Sequence, residues 1–204
     1  MTGIKFCGLR TSDDIAIVNT IVPDYAGFIV TKGFTRSVGP EGVRRLSPLL
    51  NKGIKAVGVF VDDDIDTISE LAESKTITVV QLHGSEDEDY IKELRKRTSA
   101  EIVKTFEVCS ADDIDDANRS SANIVLLDSG KGTGRTFDWK LLEGMRRPCI
   151  IAGGLDTENV GDVIRKRHPF AVDVSSRMET DGHKDKEKMM AFADAVRRAD
   201  ADTE

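Results

Sequence analysis

The chain has 204 residues, and 36 acidic against 29 basic side chains give it a net charge of −7. This charge disfavours a nucleic-acid partner held by phosphate attraction, and no apolar run approaches the ~18 residues that a membrane span needs. Three widely spaced cysteines and an N-terminus without an apolar signal segment argue against a disulfide framework and against export. We therefore expect one domain over residues 1–204, located in the cytoplasm and without membrane contact.

Short runs rich in Val, Ile, Leu and Phe predict eight strands. Most of these runs are followed by a segment whose apolar residues have the spacing of a helix. Several runs are almost continuously apolar, which is typical of parallel strands covered on both faces. The predicted strands are residues 4–7, 26–30, 56–61, 78–82, 102–106, 123–127, 149–152 and 171–174.

Apolar stripes predict helices in the segments between the strands, among them residues 87–97 and 184–198. The acidic residues 200–204 predict a frayed, solvated tail after the last helix. About eight β–α units without a Pro- or Ser-rich linker predict an α/β fold, a compact single-domain (β/α)8 TIM barrel with short loops. A doubly wound open sheet is the main alternative, although its dinucleotide-binding form needs a Gly-rich fingerprint that this sequence lacks.

Two candidate catalytic residues end predicted strands, where barrels carry their active-site groups. Cys7 ends the first strand, and its thiol can act as a base if its pKa is lowered. Alternatively, Cys7 is a small buried hydrophobe. Asp128 follows the sixth strand and can donate a proton if burial raises its pKa, or it caps the glycine-rich loop that follows, residues 130–139. The glycines of that loop can let backbone approach a ligand.

A phosphate site is predicted where the seventh and eighth strands end. Gly153 and Gly154 follow one strand, and Ser175 and Ser176 follow the other. Barrel enzymes often bind phosphate at this place through backbone N–H groups and a helix N-terminus. Taken separately, the glycine pair is also explained by a turn that enters a helix, and the serine pair by a helix cap.

Two further side chains are candidates for substrate contact. His83 follows the fourth strand and can hydrogen-bond a substrate or simply pack within its loop. No carboxylate–histidine spacing supports a metal site, so none is expected. Arg36 follows the second strand and can hold a carboxylate bidentately, or it is an exposed arginine without a partner.

Taken together, these segments resemble the phosphoribosylanthranilate isomerase family of tryptophan biosynthesis. The resemblance keeps its order from the first strand to the last helix, and its motifs are specific as a set. They are KFCGL at 5–9, TRS at 35–37, VGVFV at 57–61, QLHG at 81–84, LD at 127–128, GTGRTFDW at 132–139, GGL at 153–155 and AVDVSS at 171–176 with Glu179 and Lys184-Asp185.

The resemblance implies a barrel enzyme that uses no cofactor or metal and takes a small phosphorylated substrate. That substrate, N-(5-phosphoribosyl)anthranilate, is converted to 1-(2-carboxyphenylamino)-1-deoxyribulose 5-phosphate by an Amadori rearrangement. The resemblance makes Asp128 the general acid at the furanose ring oxygen and Cys7 the base at C2. It assigns Arg36 to the anthranilate carboxylate and Asp173 to the ribose hydroxyls. It assigns the phosphate to Gly153, Gly154, Ser175 and Ser176.

One departure and several alternatives remain at this point. Arg177 stands after Ser176 where the family often has glycine, so it either blocks a backbone contact or adds positive charge near the phosphate. The alternatives are a histidine-pathway isomerase, a pentose-phosphate epimerase with metal-ligating histidines, and a barrel that binds a phosphorylated ligand without catalysis. The expected assembly is a monomer or a homodimer.

Overall fold

The computed structural model describes residues 1–130 and 139–202. Most of the glycine-containing loop predicted to approach a ligand, residues 131–138, lies outside this described part. Among the described helices, none combines the length and the apolar character that crossing a bilayer requires.

Eight parallel strands close into a barrel, which confirms the predicted fold. Each strand pairs with the next in the chain, and the last pairs with the first. A two-stranded antiparallel hairpin, which was not predicted, follows the barrel strands. The strands are β1 (Gly3–Cys7), β2 (Tyr25–Ile29), β3 (Lys55–Phe60), β4 (Val79–Leu82), β5 (Glu101–Glu107), β6 (Ile124–Asp128), β7 (Cys149–Ile151) and β8 (Ala171–Val174), and the hairpin is β9 (Glu179–Thr180) with β10 (His183–Lys184).

Helices cover the outside of the barrel, and acidic or hydroxyl side chains start several of them. Thr11, Asp64, Asp87 and Asp185 each accept a hydrogen bond from a backbone N–H of the first helical turn. A 3₁₀ helix, Trp139–Gly144, lies in the connection between β6 and β7. The α-helices are α1 (Ser12–Ile21), α2 (Gly39–Leu46), α3 (Ile65–Glu73), α4 (Glu88–Arg97), α5 (Ala111–Arg119), α6 (Val160–Arg167) and α7 (Lys186–Ala201).

The alternation of side chains along each strand separates two apolar layers. Outward-facing residues and the helices form the larger layer, which includes the edge-to-face pair Phe6 and Phe192. Inward-facing residues such as Val79, Val103 and Ile124 fill the barrel. Towards the carboxyl ends of the strands the interior becomes polar, and this polar end is where the candidate site lies.

The C-terminal helix is tied to the start of the chain by a buried carboxylate. The backbone N–H and the hydroxyl of Thr2 each donate a 2.7 Å hydrogen bond to Asp200. The prediction of a solvated tail from residue 200 onward was therefore wrong for Asp200, which is buried within α7. Its carboxylate satisfies two polar groups at the entry to β1, a partnership that the composition of the tail does not reveal.

Asp200→Ala tests this link, because the substitution leaves the Thr2 N–H and hydroxyl without their acceptor. We expect a loss of about 1–3 kcal/mol in the free energy of unfolding, measured by urea denaturation at pH 7. Asp202→Ala is the matched control, since its carboxylate is exposed and makes a long ion pair of 3.8 Å with Arg165, and we expect a change within about 0.5 kcal/mol. Equal effects of the two substitutions would contradict the structural role of Asp200.

Candidate active site

The Cys7 thiol faces the barrel interior at the end of β1. It is buried and packs with the inward-facing residues. Its register partner on β2 is Gly27, where a Cβ would lie 2.9 Å from Cys7 Sγ and 3.1 Å from its Cα. A side chain at position 27 would therefore displace the thiol, so the glycine creates the space that Cys7 occupies.

A buried ion pair lies one layer below Cys7. The Lys5 ammonium is 2.7 Å from Asp173 Oδ2, and the two side chains are 1% and 9% exposed. Lys5 and Asp173 are register partners on β1 and β8, so the pair bridges the strands that close the barrel. Burial disfavours the ammonium, but the attraction of Asp173 and of Cys7 outweighs it and raises the pKa of Lys5. Burial also raises the pKa of the Cys7 thiol, and the charge of Lys5 opposes that rise.

The Asp128 carboxyl ends β6, and its neighbour across the cavity is His83. Asp128 Oδ2 lies 3.8 Å from His83 Nε2, which is too far for a hydrogen bond. Burial lowers the pKa of His83, so its imidazole is neutral at pH 7. Gln81 Nε2 lies 3.1 Å from His83 Nδ1, and Thr105 Oγ1 lies 3.2 Å from the same ring nitrogen.

Gly153 gives Asp128 the space that it needs. Gly153 adopts φ +87°, and a Cβ there would lie 2.1 Å from Ser129 Oγ and 2.8 Å from Asp128 Oδ1. The position therefore requires glycine both for its backbone conformation and for the closeness of its neighbours.

Arg36 is held by the hairpin rather than left free. Its Nε and Nη2 donate to the two carboxylate oxygens of Glu179 at 2.7 and 2.9 Å. Lys184 Nζ donates to the same carboxylate at 2.9 Å and to the Ser175 carbonyl at 3.0 Å. Glu179 thus fixes two cations beside the end of β8, and the hairpin orients the guanidinium towards the barrel rim.

A cavity of about 230 Å³ opens at this rim and collects almost all of the predicted residues. One wall is apolar and contains Ile29, Phe34, Val59 and Val61, whereas the opposite end is polar and includes Arg177. Arg36 is the predicted residue that is not among those described as lining the cavity. The predicted residues that line it are Cys7, His83, Asp128, Gly153, Gly154, Asp173, Ser175 and Ser176.

Several polar residues of the site were quoted within motifs but received no predicted role. They are Lys5, Gln81, Glu179 and Lys184. Lys5 carried a usable signal, because it stands two residues before Cys7 on an apolar strand and therefore faces the same side. Within residues 1–130 and 139–202, no group of three His, Cys, Asp or Glu side chains is arranged to hold a metal ion.

Comparison with known proteins decides the family of this barrel. The family model for N-(5'-phosphoribosyl)anthranilate (PRA) isomerase matches residues 4–195. The chain belongs to this isomerase family. It is 41% identical to the N-(5'-phosphoribosyl)anthranilate isomerase of Endomicrobium trichonymphae, over 97% of this chain and 99% of that one. The family and enzyme predictions are thereby confirmed.

Two solved structures of the isomerase family show the same architecture. Phosphoribosyl anthranilate isomerase from Thermotoga maritima superposes with a TM-score of 0.86 at 30% identity, covering 97% of this chain and 100% of that one. A phosphoribosyl anthranilate isomerase in complex with reduced 1-(o-carboxyphenylamino)-1-deoxyribulose 5-phosphate gives a TM-score of 0.84 at 30% identity, with the same coverage. The likeness thus extends over the whole barrel.

The Glu179 cluster predicts a pH dependence of stability. Burial raises the pKa of Glu179, but the hydrogen bonds and charges of Arg36 and Lys184 outweigh burial, and the pKa lies below its ordinary value. A carboxylate with a lowered folded-state pKa stabilises the protein fully above its unfolded pKa, about 4.3 for Glu, and this contribution is lost as the pH falls through the folded value.

Glu179→Gln should therefore lower the unfolding midpoint at pH 7, and the gap to wild type should narrow below about pH 4. Urea denaturation at a series of pH values measures this gap. Glu73→Gln, at an exposed position of α3, controls for the loss of one surface charge. A gap for Glu179→Gln that stays constant from pH 7 to pH 3 would show that the cluster does not act through the carboxylate.

Proposed function

We propose that this protein converts N-(5-phosphoribosyl)anthranilate to 1-(2-carboxyphenylamino)-1-deoxyribulose 5-phosphate in tryptophan biosynthesis. Membership of the isomerase family supports the proposal. The structural observation that carries it is the single cavity into which both the Cys7 thiol and the Asp128 carboxyl face. The two residues lie on strands three positions apart around the closed sheet, so a small substrate between them meets a different group on each side.

Asp128 is proposed as the acid of the first step. Its carboxyl gives a proton to the furanose ring oxygen while the bond from that oxygen to C1 breaks. The anthranilate nitrogen lone pair forms the C1=N bond, and the product is a protonated Schiff base. His83 lies beside this carboxyl, with its Nε2 3.8 Å from Asp128 Oδ2.

Cys7 is proposed as the base of the second step. The sulfur takes the proton from C2, the C–H electron pair forms C1=C2, and the C=N π pair moves to nitrogen. The positive nitrogen acidifies C2, so a base of modest strength suffices. The resulting enolamine becomes the aminoketose by tautomerisation. The burial of Cys7 keeps bulk water from the reacting carbon.

The two ends of the cavity support an orientation for the substrate. The phosphate fits the polar end, where backbone N–H groups at Gly153 and Gly154 and the hydroxyls of Ser175 and Ser176 line the wall. Arg177 lines this end as well, which favours a positive charge near the phosphate over a blocked contact. The anthranilate ring fits the apolar wall that contains Phe34.

Asp173 and Arg36 complete the proposed contacts. Asp173 uses Oδ2 for Lys5, and in the described part of the chain its buried Oδ1 accepts no hydrogen bond, so Oδ1 suits a ribose hydroxyl. The guanidinium of Arg36, oriented by Glu179, keeps N–H groups for the anthranilate carboxylate. The single-domain organisation, the cytoplasmic location and the monomeric or homodimeric state stay predictions.

Complementation tests the activity. The wild-type chain should restore growth without tryptophan to a bacterial strain that lacks this isomerase, and Cys7→Ser and Asp128→Asn should not. In purified protein we expect each substitution to lower kcat/KM by about 10²–10⁴-fold with an unchanged circular dichroism spectrum. Cys109→Ser, at an exposed cysteine, should keep wild-type turnover. Wild-type turnover in both active-site variants would refute the assigned roles.

Arg36→Ala tests the carboxylate contact. Losing a charge-assisted hydrogen bond should raise KM about tenfold or more, with a smaller effect on kcat, because the carboxylate does not change during the reaction. Steady-state kinetics separate the two constants. Arg44→Ala, which removes a surface ion pair with Glu41 and Glu70, should leave KM unchanged. An unchanged KM in Arg36→Ala would count against the contact.

A further inference from the structure

A buried ammonium group lies beside the proposed base and takes no part in the two proton transfers. Lys5 is among the largest fully buried side chains of the protein. A buried lysine is costly unless it is paired, and this one is paired with Asp173 Oδ2 at 2.7 Å. The cost of placing a charge there suggests a use beyond filling the barrel.

The strand geometry directs Lys5 towards Cys7. The two residues are two positions apart on β1, so their side chains leave the same face of the strand. On the neighbouring strand β2, the backbone of Gly27 lies against Cys7. The attraction between the two groups helps to raise the pKa of Lys5, and it opposes the burial that raises the pKa of Cys7.

Four charged groups face Cys7 from the surrounding elements, and their pairing differs. Arg36, after β2, and Lys184, on β10, act on the thiol, but both share the carboxylate of Glu179. Asp173, on β8, repels a thiolate, whereas Lys5 attracts it. Lys5 is thus the cation that shares the barrel interior with Cys7, and Asp173 is the group that competes for it.

We propose that Lys5 is a positioning residue that stabilises the thiolate of Cys7, and that Asp173 weakens this stabilisation because it competes for the same ammonium. The inference rests on the proposed function, in which Cys7 is the base. Lys5 keeps its proton throughout, and its attraction increases the fraction of Cys7 that is ionised before the substrate proton is removed. A substrate hydroxyl that donates a hydrogen bond to Asp173 Oδ1 weakens the attraction of this carboxylate for Lys5. Substrate binding therefore strengthens the attraction between Lys5 and the thiolate.

Direct titration of the thiol tests this arrangement without relying on the reaction. Thiolate absorbance at 240 nm is measured against pH in the full-length protein, with the Cys7→Ser variant subtracted so that only residue 7 contributes. Lys5→Met removes the cation, and the pKa of Cys7 should rise by about 1–3 units. Asp173→Asn removes the competing anion, and the pKa of Cys7 should fall, since the thiolate becomes the counter-ion of Lys5.

The matched control is a second buried lysine of the same barrel. Lys104 on β5 pairs with Glu86 at 3.0 Å, and both side chains are as buried as those of the Lys5 pair. Lys104→Met therefore also removes a buried ammonium from an ion pair, and it should leave the Cys7 titration unchanged. Opposite shifts in Lys5→Met and Asp173→Asn, with no shift in Lys104→Met, are the pattern that a merely structural lysine does not produce.

An unchanged thiol titration in folded Lys5→Met, or an unchanged or raised pKa of Cys7 in Asp173→Asn, would overturn the proposal. If Lys5→Met fails to fold, Asp173→Asn decides the question by the sign of its shift. In an active enzyme, the acidic limb of the kcat/KM profile of Lys5→Met should move to higher pH by the shift seen for the thiol. If the thiol pKa values shift as predicted but the protein has no isomerase activity, the proposed function is refuted, whereas the coupling between Lys5 and Cys7 is supported.

Discussion

The ion pair between Lys5 and Asp173 joins the two strands that close the barrel, and it lies under the proposed reaction site. A buried ion pair contributes little net stability, because desolvation of both charges offsets most of their attraction. At 2.7 Å and with both side chains buried, however, the pair fixes the positions of both charges. The thiol above it, and the carboxylate oxygen that faces the cavity, therefore have these two charges as fixed neighbours.

Glycines determine where the reactive groups can stand. Gly27 leaves room for Cys7, and Gly153 leaves room for the Asp128 carboxyl. At both positions a methyl group would collide with an atom of the proposed acid or base. A side chain at either position would therefore displace the proposed acid or base, and at Gly153 it would also strain the backbone.

The hairpin β9–β10 orients the side chains of two cations at the rim, Arg36 and Lys184. Glu179 accepts hydrogen bonds from both Arg36 and Lys184, so one carboxylate orients both side chains and offsets one of their two positive charges. The end of the cavity proposed for the phosphate is lined by Gly153, Gly154, Ser175, Ser176 and Arg177. Arg36 is not among the described residues that line the cavity, and its orientation is set by the pairing with Glu179.

The sequence by itself determined the eight strands, the parallel barrel and the isomerase family, because strand periodicity and short motifs are local properties of the chain. It also pointed to Cys7 and Asp128, since strand ends gather at one rim of a barrel. The tertiary structure alone decided which charges meet. Lys5 meets Asp173 across 168 residues, Arg36 meets Glu179 across 143, and Thr2 meets Asp200 across 198. Residue types reveal that such charges exist, but their partners depend on strand register and barrel closure, and these are set by the packing of the whole chain.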